Sequence, residues 1–262
     1  MEKRQNRTME PVRKPFQGIW NIVRFNWHFY LLSILLILFI YFLNGFVINP
    51  YHKLITIIAL LIAAVITVSL AVSFYVYDLS QLYSFSWLNE LSIQPDHKII
   101  NINAGFDETS TLFHHKFPGT ELVVFDFYDP LKHTEVSIKR ARKAYPPFQN
   151  TIRVNPSAIP LQSDCTDYIF VIFAAHEIRK EEERAAFFNE LKRILKDSGK
   201  IVVMEHLRDV PNFLAYTIGA FHFMQKSSWY RTFKSAGLAV YKEIKVTPFV
   251  TVFLIEKNGA QS

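Results

Sequence analysis

Two adjacent pairs of histidine and glutamate side chains are the residues best suited to chemistry in this sequence. His176 and Glu177 follow the apolar run VIFAA, and Glu205 and His206 follow IVVM. Histidine can take a proton near neutral pH, so either pair can serve as a general base toward an oxygen nucleophile. We predict His176 as the first candidate base and His206 as the second, with Glu205 in the same site. His222, in the aromatic stretch AYTIGAFHFMQKSSWY, is a candidate wall of an acceptor pocket.

Other chemistries are excluded by composition and motif. Cys165 is the only cysteine, so the chain has no internal disulfide and no cysteine-built zinc site. We find no His, Cys, Asp and Glu spacing typical of a metal site, no nucleophile elbow and no phosphate-binding P-loop. Half of the residues are hydrophobic and 20% are charged, which excludes a disordered chain.

The elements that must position these side chains alternate along residues 98–257. Short apolar runs predict strands, and the stretches between them have helical spacing. The predicted strands cover residues 98–102, 121–126, 151–154, 167–174, 199–205, 238–246 and 248–256. The predicted helices cover residues 108–117, 131–144, 180–196 and 227–236. This alternation predicts an α/β fold with a doubly wound, mostly parallel, seven-stranded sheet that ends in an antiparallel hairpin.

Four motifs give this region a resemblance to a known family. The first strand leads into residues 103–107 (NAGFD), the second ends in Asp126, and Asn155 is followed by the apolar and acidic residues of 159–168. The segment ELKRILKDSGKIVVMEH, which leads into the fifth strand, is the most specific match. With these motifs, residues 98–256 resemble class I S-adenosylmethionine-dependent methyltransferases. The resemblance implies a Rossmann-like fold, S-adenosyl-L-methionine as cofactor and methyl transfer as the reaction.

The resemblance also implies where the cofactor binds. In an open parallel sheet a ligand lies at the carboxyl ends of the strands, where the strand order reverses. There Gly105 lets the backbone approach the methionine part, Asp126 accepts from the ribose hydroxyls, and Phe127 or Tyr128 stacks on adenine. Asn155 or Ser157 is expected near the adenine amine. The cofactor-binding residues implied are Asn101, Asn103, Gly105, Asp126, Phe127 and Asn155.

The loop after the first strand departs from the family pattern at three positions. Asn101 replaces an acid, Asn103 replaces the first glycine and Asp107 replaces the third. A neutral amide forms hydrogen bonds but no ion pair with the ammonium group of the cofactor, so Asp107 or Glu108 is the expected substitute. An alternative hypothesis follows, in which the protein is a catalytically inactive, methyltransferase-like membrane protein with a binding or assembly role.

The apolar residues are concentrated near the N-terminus. Residues 29–48 and 54–77 carry no charge, and each stretch is long enough to cross a hydrocarbon core of about 30 Å as a helix. Only residues 49–53 connect them. The sequence therefore predicts a hairpin of two transmembrane helices, 29–48 and 54–77. The competing interpretation is a pair of buried core helices in a soluble protein.

Flanking charges predict the orientation of this hairpin. Residues 1–28 form a leader with six Lys or Arg and two Glu, whereas the connecting loop has one Lys. The positive-inside bias places the leader in the cytoplasm, and two spans return the chain there. Residues 78–97 are predicted as an amphipathic linker that lies against the membrane or the next domain. The domain 98–257 and the tail 258–262 are then cytoplasmic.

The predicted function combines these parts. We expect a membrane-anchored methyltransferase whose partners are the lipid bilayer and a hydrophobic small-molecule acceptor, such as a lipid, quinone, polyene or aryl-lipid. A nicotinamide-dependent oxidoreductase is the competing enzyme class, because Gly105 and Asp126 also suit a dinucleotide fingerprint. The terminal hairpin and the missing Gly-x-Gly-x-x-Gly count against it. No nucleic-acid partner is expected, since much of the basic excess lies in the leader.

Overall fold

The computed structural model describes residues 13–46 and 51–259. Most of the basic leader, the centre of the connection between the apolar helices and the end of the tail lie outside the described residues. They comprise residues 1–12, 47–50 and 260–262.

Two long apolar helices form the N-terminal part of the fold. Helix α1 spans Gln17–Asn44 and helix α2 spans His52–Phe74. Both are long and apolar enough to cross a membrane, and their most apolar stretches are not buried. α1 begins earlier than predicted, and its backbone is non-helical at Asn26 (φ −115°, ψ 17°). This kink separates a first part that packs on the sheet domain from a part whose large apolar side chains are mostly exposed.

A seven-stranded sheet forms the rest of the molecule, as predicted. Its strands are β1 Lys98–Asn103, β2 Glu121–Asp126, β3 Ile152–Arg153, β4 Thr166–Ile172, β5 Leu195–His206, β6 Leu238–Thr247 and β7 Val250–Lys257. They are arranged in the order β3-β2-β1-β4-β5-β7-β6. β1 to β5 pair in parallel, and β7 inserts antiparallel between β5 and β6. The predicted fold class and terminal hairpin are confirmed.

Helices cover both faces of the sheet. They are α3 Ser110–Lys116, α4 Val136–Ala144, α5 Glu181–Ile194, α6 Val210–Tyr216 and α7 Lys226–Ser235. Of these, α6 was not predicted. Its signal is nevertheless present in the sequence, because the Asp209 carboxylate caps it by accepting from the Asn212 N–H, and Pro211 lies in its first turn.

The two faces bury different parts of the chain. One face packs against α5 and α7 through side chains such as Phe187, Leu191 and Phe233. The other face packs against α3 and against short helical turns in residues 75–90.

The segment predicted as a linker, 78–97, is part of this second core. Leu82, Phe85 and Leu88 are each 1% exposed, and they pack with Val76 against the sheet. Trp87 is also buried, and its ring N–H donates to the Leu82 carbonyl at 3.1 Å. Of the two placements expected for this segment, the membrane or the next domain, the buried side chains occupy the second. An open sheet must cover both faces, and this segment covers one of them.

Candidate active site

A cavity lies where the strand order reverses. β1 pairs with β2 on one side and with β4 on the other, and a cavity of about 180 Å³ opens at the carboxyl ends of β1 and β4. Asn103, Ala104 and Phe173 line it from the strand ends, and Glu108 and Glu177 lie among its polar lining. This is the place at which the fold binds ligands.

The membrane-type hairpin forms the other wall of the cavity. Gly18, Asn21 and Phe25, from the first part of α1, line it together with Tyr77 and Tyr83. The sequence analysis did not predict any of these residues as part of the site. The periodicity of the helix and its apolar composition carry no signal for the contact.

Glu108 joins this wall to the sheet. One carboxylate oxygen, Oε1, accepts from Asn21 Nδ2 at 3.0 Å and from Arg13 Nη1 at 3.1 Å, and the other accepts from the Tyr83 hydroxyl at 3.0 Å. Burial and the neighbouring Glu108 carboxylate raise the pKa of Tyr83 well above its usual value. The Tyr83 hydroxyl therefore keeps its proton and remains a donor to Glu108.

Gly105 is required by its backbone conformation and its surroundings. Its φ is +98°, and a Cβ at this position would meet the Cβ of Tyr128 at 2.9 Å. Its N–H donates to Asn103 Oδ1 at 2.9 Å. Only glycine adopts this turn without strain, as expected where the backbone must approach a ligand closely.

Asp126 lies at the end of β2, as predicted, but its carboxylate is engaged by another side chain. It is 3% exposed, and Oδ2 forms an ion pair with Arg142 Nη1 at 2.6 Å. The guanidinium lies 4.3 Å from the ring centre of Tyr128 and directly over Gly105. Arg142 of α4 thus fills the space in which a ribose would meet Asp126. Sequence reasoning missed this residue.

Two other predicted cofactor residues, Phe127 and Asn155, lie away from the cavity. Phe127 is 3% exposed and packs on Phe187 in the core, so its proposed stacking on adenine is wrong. Successive side chains of an extended chain alternate in direction, which places Tyr128 rather than Phe127 beside Gly105. Asn155 is exposed, and its side-chain oxygen accepts from the Ser157 hydroxyl at 2.9 Å. It does not line the cavity.

Asn101 supports the loop that follows β1. It is 1% exposed, and its Nδ2 lies 2.8 Å from the hydroxyl oxygens of both Thr109 and Ser110. Its Oδ1 and the Oδ2 of Asp107 are buried without a hydrogen-bond partner among the described residues. Two free acceptors in this loop suit a ligand that donates, such as an ammonium group.

The structure brings His176, Glu177 and Glu205 together. His176 Nδ1 lies 2.7 Å from Glu205 Oε2, and His176 Nε2 lies 3.3 Å from Glu177 Oε1. Burial alone lowers the pKa of His176, but the two carboxylates outweigh it and raise the pKa to about 10. Burial likewise opposes the charge of Glu177, but bonding to His176 lowers its pKa to about 2. At neutral pH His176 is therefore a cation and cannot act as the predicted base.

His206 is held in a different state. Nδ1 donates to the Phe249 carbonyl at 2.9 Å, and Nε2 accepts from the Tyr77 hydroxyl at 2.7 Å. Burial lowers the pKa of His206 to about 4, so the ring is neutral. Both ring nitrogens are occupied, and His206 reaches the cavity only through Tyr77. The structure therefore assigns it the role of orienting Tyr77.

His222 lies beside the His176 cluster. The two rings are 5.1 Å apart, and ligand atoms of His176, Glu177 and His222 lie within 4.8 Å of one another. The sequence predicts no metal site here. The Arg179 guanidinium donates to the His222 ring, and a cation in that position opposes the binding of a metal ion.

The strand order and the site define the class of the domain. A parallel sheet with an antiparallel seventh strand inserted between β5 and β6, a glycine turn after β1 and an acid at the end of β2 are the features of a class I methyltransferase.

Comparison with known proteins agrees with this assignment. A family model described as a methyltransferase domain matches residues 121–203. No curated protein matches the sequence. A protein from Pyrococcus horikoshii OT3 superposes with a TM-score of 0.50 at 16% identity, over 70% of this chain and 95% of its own. The complex between the Haloferax volcanii Trm112 methyltransferase activator and a methyltransferase gives 0.50 at 11% identity, over 68% and 90%.

A further solved structure is similar at a slightly lower score. It is a SAM-dependent methyltransferase from Aquifex aeolicus, with a TM-score of 0.49 and 15% identity over 68% of this chain and 93% of its own. The family match over residues 121–203 supports a methyltransferase, and the solved structures show the same fold.

The residues of the site fit this cofactor in its methionine half. The free acceptors of Asn101 and Asp107, with the anionic Glu177, suit its positive charges. Asp126 is the expected acceptor for the ribose hydroxyls of the cofactor. Arg142 must move away before the Asp126 carboxylate can bind them. The cavity of about 180 Å³ is smaller than the roughly 300–1,000 Å³ usual for ligand sites.

Proposed function

We propose that the protein is a membrane-anchored methyltransferase that acts on a hydrophobic, membrane-resident small molecule. One observation carries the proposal. The wall of the cavity formed by Gly18, Asn21 and Phe25 belongs to the same helix, α1, whose apolar part is exposed beyond Asn26. A molecule dissolved in the bilayer would reach the cavity along that helix.

Further exposed apolar surface lies beside the hairpin. α6 packs against α2, and α6 with the short helix that follows it exposes large apolar side chains. They are Val210, Phe213, Leu214, Ile218 and Phe221. Soluble proteins rarely expose a contiguous patch of this kind, and amphipathic elements of this composition lie in the interface of a bilayer. The patch supports a domain that rests on the membrane surface.

The chain's own residues would do little covalent chemistry in this reaction. When bound, S-adenosylmethionine supplies an already activated methyl group, so alignment is the main requirement. Glu177 keeps a negative charge at the cavity, and His176 and Glu205 hold it in place. This charge favours a cationic methyl donor. Tyr77, which His206 orients, places a hydroxyl group at the cavity wall.

Membranes that contain the full chain provide the direct test. They are incubated with a radiolabelled methyl donor and then extracted with organic solvent. We expect label in the lipid fraction, much weaker labelling with Asp126→Ala, and full labelling with the surface variant Lys234→Gln. Label that appears only in water-soluble products would contradict the lipid acceptor.

An inactive protein that keeps the fold for binding or assembly is the second candidate function. The ion pair between Arg142 and Asp126 favours it, because it closes the ribose site. Isothermal titration with S-adenosylmethionine and with its demethylated product separates the two. Heat of binding from either ligand supports the enzyme, whereas a folded protein that binds neither supports the inactive alternative.

A further inference from the structure

A second, strongly basic pocket lies beside the active site and plays no part in the chemistry described above. It has a volume of about 380 Å³ and is formed where the start of α5, the loop after β5 and the start of α7 meet. The charged side chains among its described lining residues are four arginines and one acid, Glu181. The formal charge of these five side chains is +3.

Arg184 is the most unusual of the four arginines. It is 1% exposed, and its guanidinium donates to three uncharged acceptors: the Ile178 carbonyl at 2.9 Å and the hydroxyls of Ser228 and Thr232, each at 3.1 Å. No carboxylate among the described residues lies within 4.0 Å of it. A fourth N–H group of the guanidinium donates to the Arg179 carbonyl, so four of its five N–H groups have an acceptor. Buried charges are normally paired, so this one lacks a counter-ion.

The N-terminus of α7 opens into the same pocket. Gln225, at the N-cap, makes no side-chain capping bond, and the first turn contains Lys226 and no acid. The Ser228 N–H donates to the Gln225 carbonyl, and the helix dipole favours an anion at this end of a ten-residue helix. This feature and the unpaired charge of Arg184 are independent of each other, and they indicate the same kind of ligand.

Two arginines at the rim are held in place without losing their charge. Arg208 donates to the carbonyls of Phe221 and Phe223 at 2.6 and 2.8 Å, and Arg179 donates to the His222 carbonyl at 2.6 Å. Backbone carbonyls orient a guanidinium but do not neutralise it. Such fixed, positively charged forks match the geometry of a phosphate group.

His222 contacts one residue of the basic pocket, Arg179, and one residue of the cavity, Glu177. Arg179 contacts the ring of His222 from the pocket, and the ring of His176 lies 5.1 Å away toward the cavity. The exposed apolar side chain of Phe221 borders the pocket on its outer side. A molecule with an anionic group in the pocket would thus place neighbouring atoms near the cavity and an apolar tail near the membrane patch.

We propose that this pocket binds a phosphate or diphosphate group, and that the group belongs to the methyl acceptor. The assignment of this group to the methyl acceptor rests on the proposed function. Binding of the anion does not, since it requires no methyl donor.

The pocket itself is tested by titrating inorganic pyrophosphate into the full chain in a neutral, phosphate-free detergent. Arg208→Gln combined with Arg231→Gln is expected to weaken binding by about tenfold or more, since each removes a charge-assisted contact. Glu181→Gln is expected to tighten binding several-fold, a gain that misfolding does not produce. Lys234→Gln, which removes one positive charge at the other end of α7, is the control for loss of charge alone. Absence of binding at millimolar pyrophosphate, or equal affinity in all four proteins, overturns the proposal.

Labelling of membranes then tests the assignment to the acceptor. Pyrophosphate should inhibit methyl transfer in the intact protein, and much less in the double arginine variant. A labelled product that extracts into organic solvent and changes mobility after phosphatase treatment identifies a lipid phosphate. A phosphatase-sensitive product in water identifies a soluble phosphate ester, which supports the pocket and contradicts the lipid acceptor. Bound pyrophosphate that leaves methyl transfer unchanged shows that the acceptor does not use the pocket.

Discussion

At the scale of single residues, the ion pair between Asp126 and Arg142 controls access to the ribose site. A carboxylate that is 3% exposed is strongly stabilised by a guanidinium at 2.6 Å, and a ribose must replace that partner with two neutral hydroxyls. The affinity of the domain for its cofactor is therefore the difference between these two sets of interactions.

Arg142→Met is expected to tighten the binding of S-adenosylmethionine, because Asp126 then has no competing partner. The gain should be several-fold to about tenfold, and Asp126→Ala should weaken binding by roughly ten- to a hundredfold. Isothermal titration measures both. If Arg142→Met weakened binding instead, the guanidinium would contact the cofactor and would not be its competitor.

The His176 cluster predicts a specific dependence of stability on pH. The pKa of His176 is raised from 6.5 to about 10, so its contribution is complete below pH 6.5 and is lost as the pH rises toward 10. The pKa of Glu177 is lowered from 4.5 to about 2, so its contribution is complete above pH 4.5 and is lost as the pH falls toward 2. The cluster stabilises the fold most between these two windows.

Glu205→Gln is expected to remove much of the alkaline dependence. Between pH 6.5 and 10 the free energy of unfolding should fall more steeply in the intact protein than in the variant. Denaturant midpoints at several pH values measure the difference, and NMR titration of the His176 ring measures its pKa directly. A His176 that titrates near pH 6.5 in the intact protein would show that the ion pair does not form in solution.

At the scale of elements, the first part of α1 is docked by its N-terminus. The Asp78 carboxylate, just after α2, accepts from the backbone N–H groups of Gly18 and Ile19 at 2.8 and 2.7 Å. Arg140 of α4 donates to the Phe25 carbonyl at 2.7 Å, at the level of the kink. These contacts hold α1 as a wall of the cavity and join it to the sheet domain.

Gly18→Ala is expected to open this wall. A Cβ at position 18 would clash with the Cβ of Tyr77 and would meet its backbone carbon at 3.0 Å, so the helix must shift, although alanine is intrinsically the better helix former. We expect a loss of about 1–3 kcal/mol in stability and weaker binding of the methyl donor. Gly219→Ala is the control, because its nearest contact would be an ordinary 3.7 Å. Equal behaviour of the two variants would show that α1 does not need close packing here.

At the scale of the whole molecule, the hairpin and the sheet domain share one core. Val76, directly after α2, is fully buried against the sheet, and the Tyr77 hydroxyl reaches across 129 residues to His206. A chain that starts at Leu79 would lose both residues and the α1 wall. Such a truncated chain is therefore expected to bind the methyl donor more weakly than the intact protein does.

The proposed membrane anchor makes a prediction about topology. Reporters fused to the N-terminus and to the C-terminus are expected to lie in the cytoplasm, and a reporter inserted after His52 is expected to lie on the other side. The exposed apolar surfaces of α1 and α2 require lipid or a protein partner along their length. Opposite signals from the two termini would show that only one helix crosses the membrane.

The sequence alone was sufficient for the features that depend on local patterns. Alternating apolar runs located the seven strands to within a few residues, Thr247-Pro248 predicted the antiparallel hairpin, and the uncharged stretches predicted α1 and α2. Asp126 and Gly105 were placed at strand ends because strand ends are themselves local features. Each of these predictions needed only the periodicity of side chains or the conformational preference of one residue.

Only the tertiary structure decided what these residues face. Arg142 lies in a helical pattern that predicts a solvated face, yet it fills the ribose site because α4 packs across the end of β2. Glu205 turns His176 from a base into a cation although 29 residues separate them. Apolar side chains of residues 75–91 enter the core because one face of the sheet would otherwise remain uncovered. Charge state and access depend on distances between segments far apart in the chain, and periodicity contains no information about those distances.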